Sequence, residues 1–390
     1  MRTDTVLVHL GRDDEQFSGL VNAPVCRAST ILFPTIAALK AAQRDKQKNL
    51  YYGRFGTQTV KLLQSACREL DGGYEAMLFP SGLAAIARVL GSLLRPGDHL
   101  LMVDSVYGPV RDFCENELRD LGVSTSFYAP EAADELGAAI RKETKVIFCE
   151  SPGTMTFELQ DIDKVVAAAA AAGVVTVIDN TWATPYFFRP LQHGVDIVIQ
   201  SASKYMVGHS DAMLGVAVTN ERCWPLLQRS SAAYGNSVSP DDCYLALRGM
   251  RTLGVRLDRH FASALKVARW LESQPEVRAV HYPALESSPD HAQWKRHFTG
   301  ASGLFAVEFP ASVGEQAAEA FADSLELFGI GVSWGGFESL AIPAHFRRNH
   351  ASRVKGPVVR LHIGLEDPDD LIEDLSRALK ECIAAAMAHV

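Results

Sequence analysis

"VDIVIQSASKYMVGHSD" (residues 195–211) opens as an apolar run and ends in a polar segment that carries one lysine, Lys204. An apolar run bounded by a polar segment is the pattern of a strand covered on both faces, as in a parallel sheet flanked by helices. The chain on either side has the same form. "DKVVAAAAAAG" (163–173) reads as a helix built on alanine, the best helix former, and stopped at Gly173. "VVTVID" (174–179) follows it as a strand. "GLAAIARVLGSLL" (82–94) before "DHLLMVD" (98–104), and "EAADELGAAIRKE" (131–143) before "TKVIFCE" (144–150), repeat the alternation. The reading is an α/β large domain over residues 61–250 with a mostly parallel sheet covered by helices.

Past Pro240 the pattern changes. "PDDCYLALRGMRTLGVRLDRHFASALKVARWLES" (240–273) reads as one long helical region interrupted at Gly249 and Gly254. "GLFAVEFP" (303–310) and "VVRLHIGLE" (358–366) alternate as half-exposed strands do, "EQAAEAFADSLELF" (315–328) is an amphipathic helix, and Asp367 with Pro368 starts a last helix. Residues 251–390 are therefore expected to form a smaller α+β C-terminal domain. Residues 1–60, rich in turns and aromatics, fit neither domain and are expected to form an N-terminal arm.

Composition narrows the function. The chain of 390 residues has 47% hydrophobic and 22% charged residues, ordinary for a soluble globular protein. Lys plus Arg number 38 against 46 Asp plus Glu, a formal net charge of −8, which argues against a nucleic-acid surface. The 7 cysteines are dispersed without a CxxC pair, the usage of reduced thiols rather than of a disulfide frame or zinc site. There is no apolar stretch of the roughly 20 residues a membrane span needs and no signal peptide at the N-terminus. A cytoplasmic protein without membrane or metal is the expectation.

In open parallel sheets ligands gather outside the carboxyl ends of the strands. At or just beyond those ends stand Asp179, then Ser201, Ser203 and Lys204, then Tyr107, and Ser81 with Gly82 at a helix start. Singly these are ordinary residues: an aspartate in a turn, a packed tyrosine, a solvated lysine, a helix N-terminus. Together they supply a lysine to form an imine, an acid to keep a ring nitrogen protonated, an aromatic to stack and free amides for a phosphate, which are the needs of pyridoxal phosphate. The lysine must be neutral to act as a nucleophile, and burial at a strand end lowers its pKa.

The motifs "IQSASKYMVGHSDAMLG" (199–215), "VIDNTWATP" (177–185), "YGRFGTQT" (52–59), "LRGMRTLGVRL" (247–257), "SWGGFESL" (333–340) and "VRLHIGLED" (359–367) resemble those of the cysteine/methionine-metabolism pyridoxal-phosphate enzymes, and among them bacterial cystathionine β-lyases. The resemblance runs from about residue 15 to the C-terminus, in motif order and spacing. It implies an aspartate-aminotransferase-like fold of type I and pyridoxal 5'-phosphate as cofactor. It implies Lys204 as the lysine that carries the cofactor, Asp179 at its ring nitrogen and Tyr107 stacked on the ring. Ser81, Gly82, Leu83, Ser201 and Ser203 would hold the phosphate. Tyr52 and Arg54 would reach a neighbouring subunit's site, in a homotetramer built from dimers that share active sites. Arg360 would bind the substrate α-carboxylate, with Ser333 and Trp334 lining the pocket together with Tyr107 and Tyr52.

The implied reaction is β-elimination on L-cystathionine, giving homocysteine, pyruvate and ammonia, a step of methionine biosynthesis. Val332 stands where γ-eliminating relatives commonly have a glutamate, and Trp334 follows Ser333, both as in β-lyases. Other readings are a cysteine or cystine S-conjugate β-lyase with side racemisation of alanine, a γ-lyase or γ-synthase, and a non-catalytic regulator on the same fold. The last would have no need of intact Lys204, Asp179, Arg54 and Arg360. Two departures touch specificity: "ESPGTMT" (150–156) lacks the asparagine many relatives carry after the proline, and the tyrosine some β-lyases carry near "SSAAYG" (230–235) is displaced to Tyr234. His209 and Asp211 in "GHSD" give no complete ligand set and are read as structural.

Overall fold

The computed structural model describes residues 1–12, 17–46, 48–384 and 386. Seven strands form the large sheet: β1 (Glu75–Phe79), β2 (His99–Val103), β3 (Ser124–Tyr128), β4 (Thr144–Glu150), β5 (Val175–Asp179), β6 (Ile197–Ser201) and β7 (Gly215–Thr219), in the order β1-β7-β6-β5-β4-β2-β3. The five strands from β6 to β3 run parallel, while β7 is antiparallel to both β6 and β1. Four further strands, β8 (Ala279–His281), β9 (Leu304–Glu308), β10 (Leu340–Pro343) and β11 (Val358–His362), make a second, antiparallel sheet in the order β10-β11-β9-β8.

The helices that cover the large sheet are written locally. Asp161 caps Ile162–Ala172 by accepting from the Lys164 amide, and Gly173 ends it in the left-handed region at φ 69°. Ser81 caps Gly82–Leu93 by accepting from the Ala84 amide, so this helix starts directly beyond β1. Val146, Ile147, Phe148, Val177, Ile197 and Ile199 are wholly buried, which places the core on both faces of the central strands.

Four expectations are corrected. Residues 131–143 hold only a short 3-10 turn (Ala132–Asp134) and one helical turn (Leu136–Ala139), because the segment offers few apolar positions to bury. The region 240–273 is two helices, Pro240–Met250 and Leu253–Glu272; the break falls at Arg251–Thr252, and Gly254 lies inside the second helix. β9 and β11 are buried along their whole length rather than half-exposed. Their second face packs on the large domain, where the Tyr205 ring stands 5.8 Å from that of His362 and the Tyr205 hydroxyl accepts from the Gly303 amide at 3.0 Å. Finally, the first residues are not part of a free arm. The helix Thr3–His9 docks through Leu7 and Leu10, and Arg251 Nη1 donates to the Leu7 and Val8 carbonyls. Leu20, Val21, Leu32 and Ile36 beyond it are exposed.

Candidate active site

The carboxyl ends of β4, β5 and β6, the helix start at Gly82 and the edge of the second sheet enclose a cleft of about 270 Å³, open to solvent. Ser81, Gly82, Leu83, Tyr107, Asp179, Ser201, Ser203, Lys204, Trp334 and Arg360 all line it.

Lys204 follows β6 in a tight turn, and its Nζ donates to Ser333 Oγ at 2.6 Å and lies 5.2 Å from the centre of the Trp334 ring. Burial, then the Arg360 guanidinium, lowers its pKa to about 8, against the opposing pull of Asp179. Asp179 ends β5. Thr181 donates to its Oδ1 through both amide (2.9 Å) and hydroxyl (2.5 Å), which fixes the carboxyl and leaves Oδ2 for another partner. Burial raises the Asp179 pKa, while the Thr181 bonds and Lys204 hold it back.

Glu150 went unnoticed in the sequence. It ends β4, is the register partner of Asp179 on β5, and lines the same cleft. Its Oε2 accepts from the Tyr107 amide at 2.8 Å, fastening the residue whose ring borders the cleft. Burial and the nearby Asp179 push its pKa up. The two carboxyls repel, which adds to the upward shift that burial gives Glu150. The visible signal was position alone: a carboxylate closing an apolar strand beside another that does the same.

Arg360 enters from β11. Its Nη2 donates to the carbonyls of Gly331 (3.3 Å), Val332 (3.1 Å) and Ser333 (2.9 Å), while its buried Nε has no partner. Burial lowers its pKa to about 10, so it keeps its charge at neutral pH. Arg360 lines the cleft, and a guanidinium there with one N–H left without an acceptor is suited to a carboxylate.

The rim opposite is built for close backbone approach. A Cβ on Gly82 would come within 2.7 Å of Ser201 Cβ, so glycine lets the helix start abut the end of β6. The first amides of that helix have no intrahelical acceptor and carry the positive end of its dipole. The Ser201 amide is held by Thr181 Oγ1 at 2.8 Å. Ser203 Oγ is committed to the Leu214 carbonyl and amide, closing the turn that presents Lys204.

Tyr52 and Arg54 do not line this cleft. Both border a separate surface depression with Ile31 and Phe33, and Arg54 Nη1 donates to the Ala232 carbonyl at 3.1 Å. Tyr234 also lies elsewhere, exposed, with the Arg88 guanidinium 3.9 Å above its ring. His209 Nδ1 donates to the Val207 carbonyl at 2.7 Å within its own turn, and Ser210 donates to Glu338 at 2.6 Å.

The observed groups fit pyridoxal 5'-phosphate: a half-buried lysine, a carboxyl with one free oxygen, an aromatic edge, a helix N-terminus abutting a serine, and an arginine with an orphaned buried N–H. Fold and cleft together define a pyridoxal-phosphate enzyme of fold type I. The sequence profile of the Cys/Met metabolism PLP-dependent enzyme family matches residues 4–380, and the chain belongs to that family. It is 43% identical to the cystathionine β-lyase of Escherichia coli K12 over 383 residues, covering 96% of this chain and 97% of that one. It is 44% identical to the cystathionine β-lyase of Salmonella typhimurium LT2 over 382 residues, with the same shares covered. The crystal structure of metB from Corynebacterium glutamicum superposes with a TM-score of 0.89 at 31% identity, covering 98% of each chain. Among the described residues no helix is long and apolar enough to cross a membrane.

Proposed function

We propose that this chain is a cytoplasmic carbon–sulfur lyase that cleaves L-cystathionine by β-elimination to homocysteine, pyruvate and ammonia. The observation that carries the reading is the convergence of Lys204, Asp179 and Arg360, from three separate strands, on one cleft. The likeness to two cystathionine β-lyases over nearly the whole chain supports the substrate.

Lys204 would carry the cofactor, Asp179 Oδ2 would hold the proton on its ring nitrogen, Tyr107 would stack on its ring, and the amides of Gly82 and Leu83 with the hydroxyls of Ser81 and Ser201 would hold its phosphate. When bound, the cofactor supplies an electron sink for the charge left at the substrate α-carbon. Arg360 would pair with the substrate α-carboxylate and so hold the α-carbon on the Lys204 side of the cleft. Lys204 Nζ, when not attached to the cofactor, would take the α-proton as general base, and its lowered pKa raises the neutral fraction able to do so. The thiolate leaves from the β-carbon, and Lys204 Nζ returns the proton to the sulfur. The remaining three-carbon fragment hydrolyses to pyruvate and ammonia. Val332, exposed before Ser333, brings no carboxylate to the pocket and so favours β over γ chemistry.

Tyr52 and Arg54, exposed and half-buried outside their own cleft, support a shared-site assembly in which they complete the cleft of a second copy. A homotetramer of such dimers is the expected form. Product identification tests the function. Incubation with L-cystathionine should yield pyruvate and homocysteine; 2-oxobutanoate with cysteine would overturn β-cleavage, and no product from cofactor-loaded protein would overturn the activity.

A further inference from the structure

Away from the cleft, Asp163, His193 and His297 bring one carboxylate and two imidazoles together, with a ligand atom from each lying within 4.8 Å of the others. They come from three elements: the first turn of helix Ile162–Ala172, the end of the turn Pro190–His193 and the end of helix His291–His297. None lines the cleft that contains Lys204. His193 Nδ1 is 2.8 Å from Asp163 Oδ1, and His297 Nε2 is 3.0 Å from Asp163 Oδ2.

Hydrogen bonds alone leave this cluster in conflict. His297 Nε2 also stands 3.0 Å from Nε of Arg296, which can only donate. A proton on Nε2 serves Asp163 and meets Arg296 donor to donor. Without that proton the nitrogen serves Arg296 and meets the carboxylate acceptor to acceptor. Nδ1 of the same ring is buried without a partner and carries the ring proton whenever Nε2 is an acceptor or a ligand, so the conflict that a cation can relieve is the one at Nε2. A cation shared by Nε2, Asp163 and His193 turns the acceptor–acceptor contact into two ligand bonds.

We propose that Asp163, His193 and His297 form a divalent transition-metal site of the zinc class, completed by solvent on its open side. Two imidazoles and a carboxylate are the donor set of three-ligand zinc sites, whereas calcium and magnesium demand more oxygen. The two contacts engage different oxygens of Asp163, Oδ1 at 2.8 Å from His193 and Oδ2 at 3.0 Å from His297, and with all three ligand atoms within 4.8 Å of one another small side-chain rotations bring them toward the roughly 3.3 Å edge of a tetrahedron with bonds of about 2.0 Å. His297 is 1% exposed in its side chain against 29% for His193 and 53% for Asp163, so the site has a buried wall and a solvent face. Arg296 is the opposing charge; it is paired with Asp161 through Nη2 at 2.7 Å and can keep that pair while its Nε gives way. The ion would pin helix His291–His297 to the large domain. Phe298, the next residue, meets the Trp182 ring edge-on at 6.2 Å, and Trp182 lines the cleft.

The test is a titration of chelator-treated, cofactor-loaded protein with Zn²⁺ by calorimetry, beside His193→Ala and Asp163→Asn. One Zn²⁺ per chain is expected, with affinity at least about tenfold weaker in each variant and a zinc-dependent rise in melting temperature confined to the parent. No binding at micromolar Zn²⁺, or binding that survives both substitutions, would overturn the site. Should a variant fail to fold, anomalous diffraction from Zn²⁺-soaked parent crystals decides: a peak between the three side chains supports the site, and a peak elsewhere or none removes it.

Discussion

Lys204 Nζ lies 2.6 Å from Ser333 Oγ, although the two residues are 129 positions apart and on different sheets' connections. The contact joins the Lys204 amine of the large domain to the C-terminal domain's edge, and Arg360 braces the same edge by donating to the Ser333 carbonyl at 2.9 Å. Lys204, Ser333 and Arg360 are therefore one hydrogen-bonded unit, which the proposed function uses as base, hydroxyl and carboxylate clamp.

Ser333→Ala should leave the cofactor attached and lower kcat by about tenfold, the worth of one aligning hydrogen bond of ~1–1.5 kcal/mol. Steady-state kinetics checks this, and KM should change less than kcat. An unchanged kcat would mean that Ser333 does not orient the amine.

Arg360→Lys should lower kcat/KM by about 10–150-fold, since a point charge replaces a charge-assisted fork worth ~1.5–3 kcal/mol. Most of the loss should appear in KM. A variant with unaltered KM would place the carboxylate elsewhere.

The Lys204 pKa, lowered from 10.5 to about 8 by burial and then by Arg360, sets a pH dependence. The neutral amine attacks, so the rate at which apoprotein captures the cofactor should rise with pH through a midpoint near 8 and then level off; a midpoint near 10.5 would show an ordinary lysine. Arg360→Met removes a repelling charge and should move the midpoint upward. A base titrating below its unfolded value costs stability while charged. The apoprotein should therefore gain stability relative to Lys204→Met as pH rises between about 8 and 10.5, measured by denaturant unfolding.

Gly249→Ala should disturb the site from behind. A Cβ there would lie 2.3 Å from the Met206 and Val207 carbonyl oxygens, in the turn that carries Lys204. The overpacking should cost ~1–3 kcal/mol and weaken cofactor retention, read from the melting temperature and from cofactor release on dialysis. A neutral result would mean the turn tolerates displacement.

Much of this site was legible because parallel strands announce themselves through local hydrophobicity. β5 and β6 end where their apolar runs end, so Asp179 and the Lys204 turn could be placed on one sheet edge from sequence. Glu150 was equally local but escaped notice, since its burial depends on β4 lying between β2 and β5. The half-exposed reading of β9 and β11 failed for a related reason. Their polar face, with Arg360 and His362, is covered by the other domain, and no short-range pattern encodes that contact. Asp163, His193 and His297 share no spacing at all; only the packing of three segments makes them neighbours. The positions of Tyr52 and Arg54 were expected from family resemblance alone, and their own cleft gives them no place.

The central claim is that Lys204, and no other lysine, holds the cofactor at the end of β6. Borohydride reduction of the loaded protein followed by peptide mass mapping tests it directly. The account predicts a pyridoxyl-phosphate adduct on the peptide containing Lys204, and none in Lys204→Ala. An adduct on a different lysine in the parent protein would contradict it.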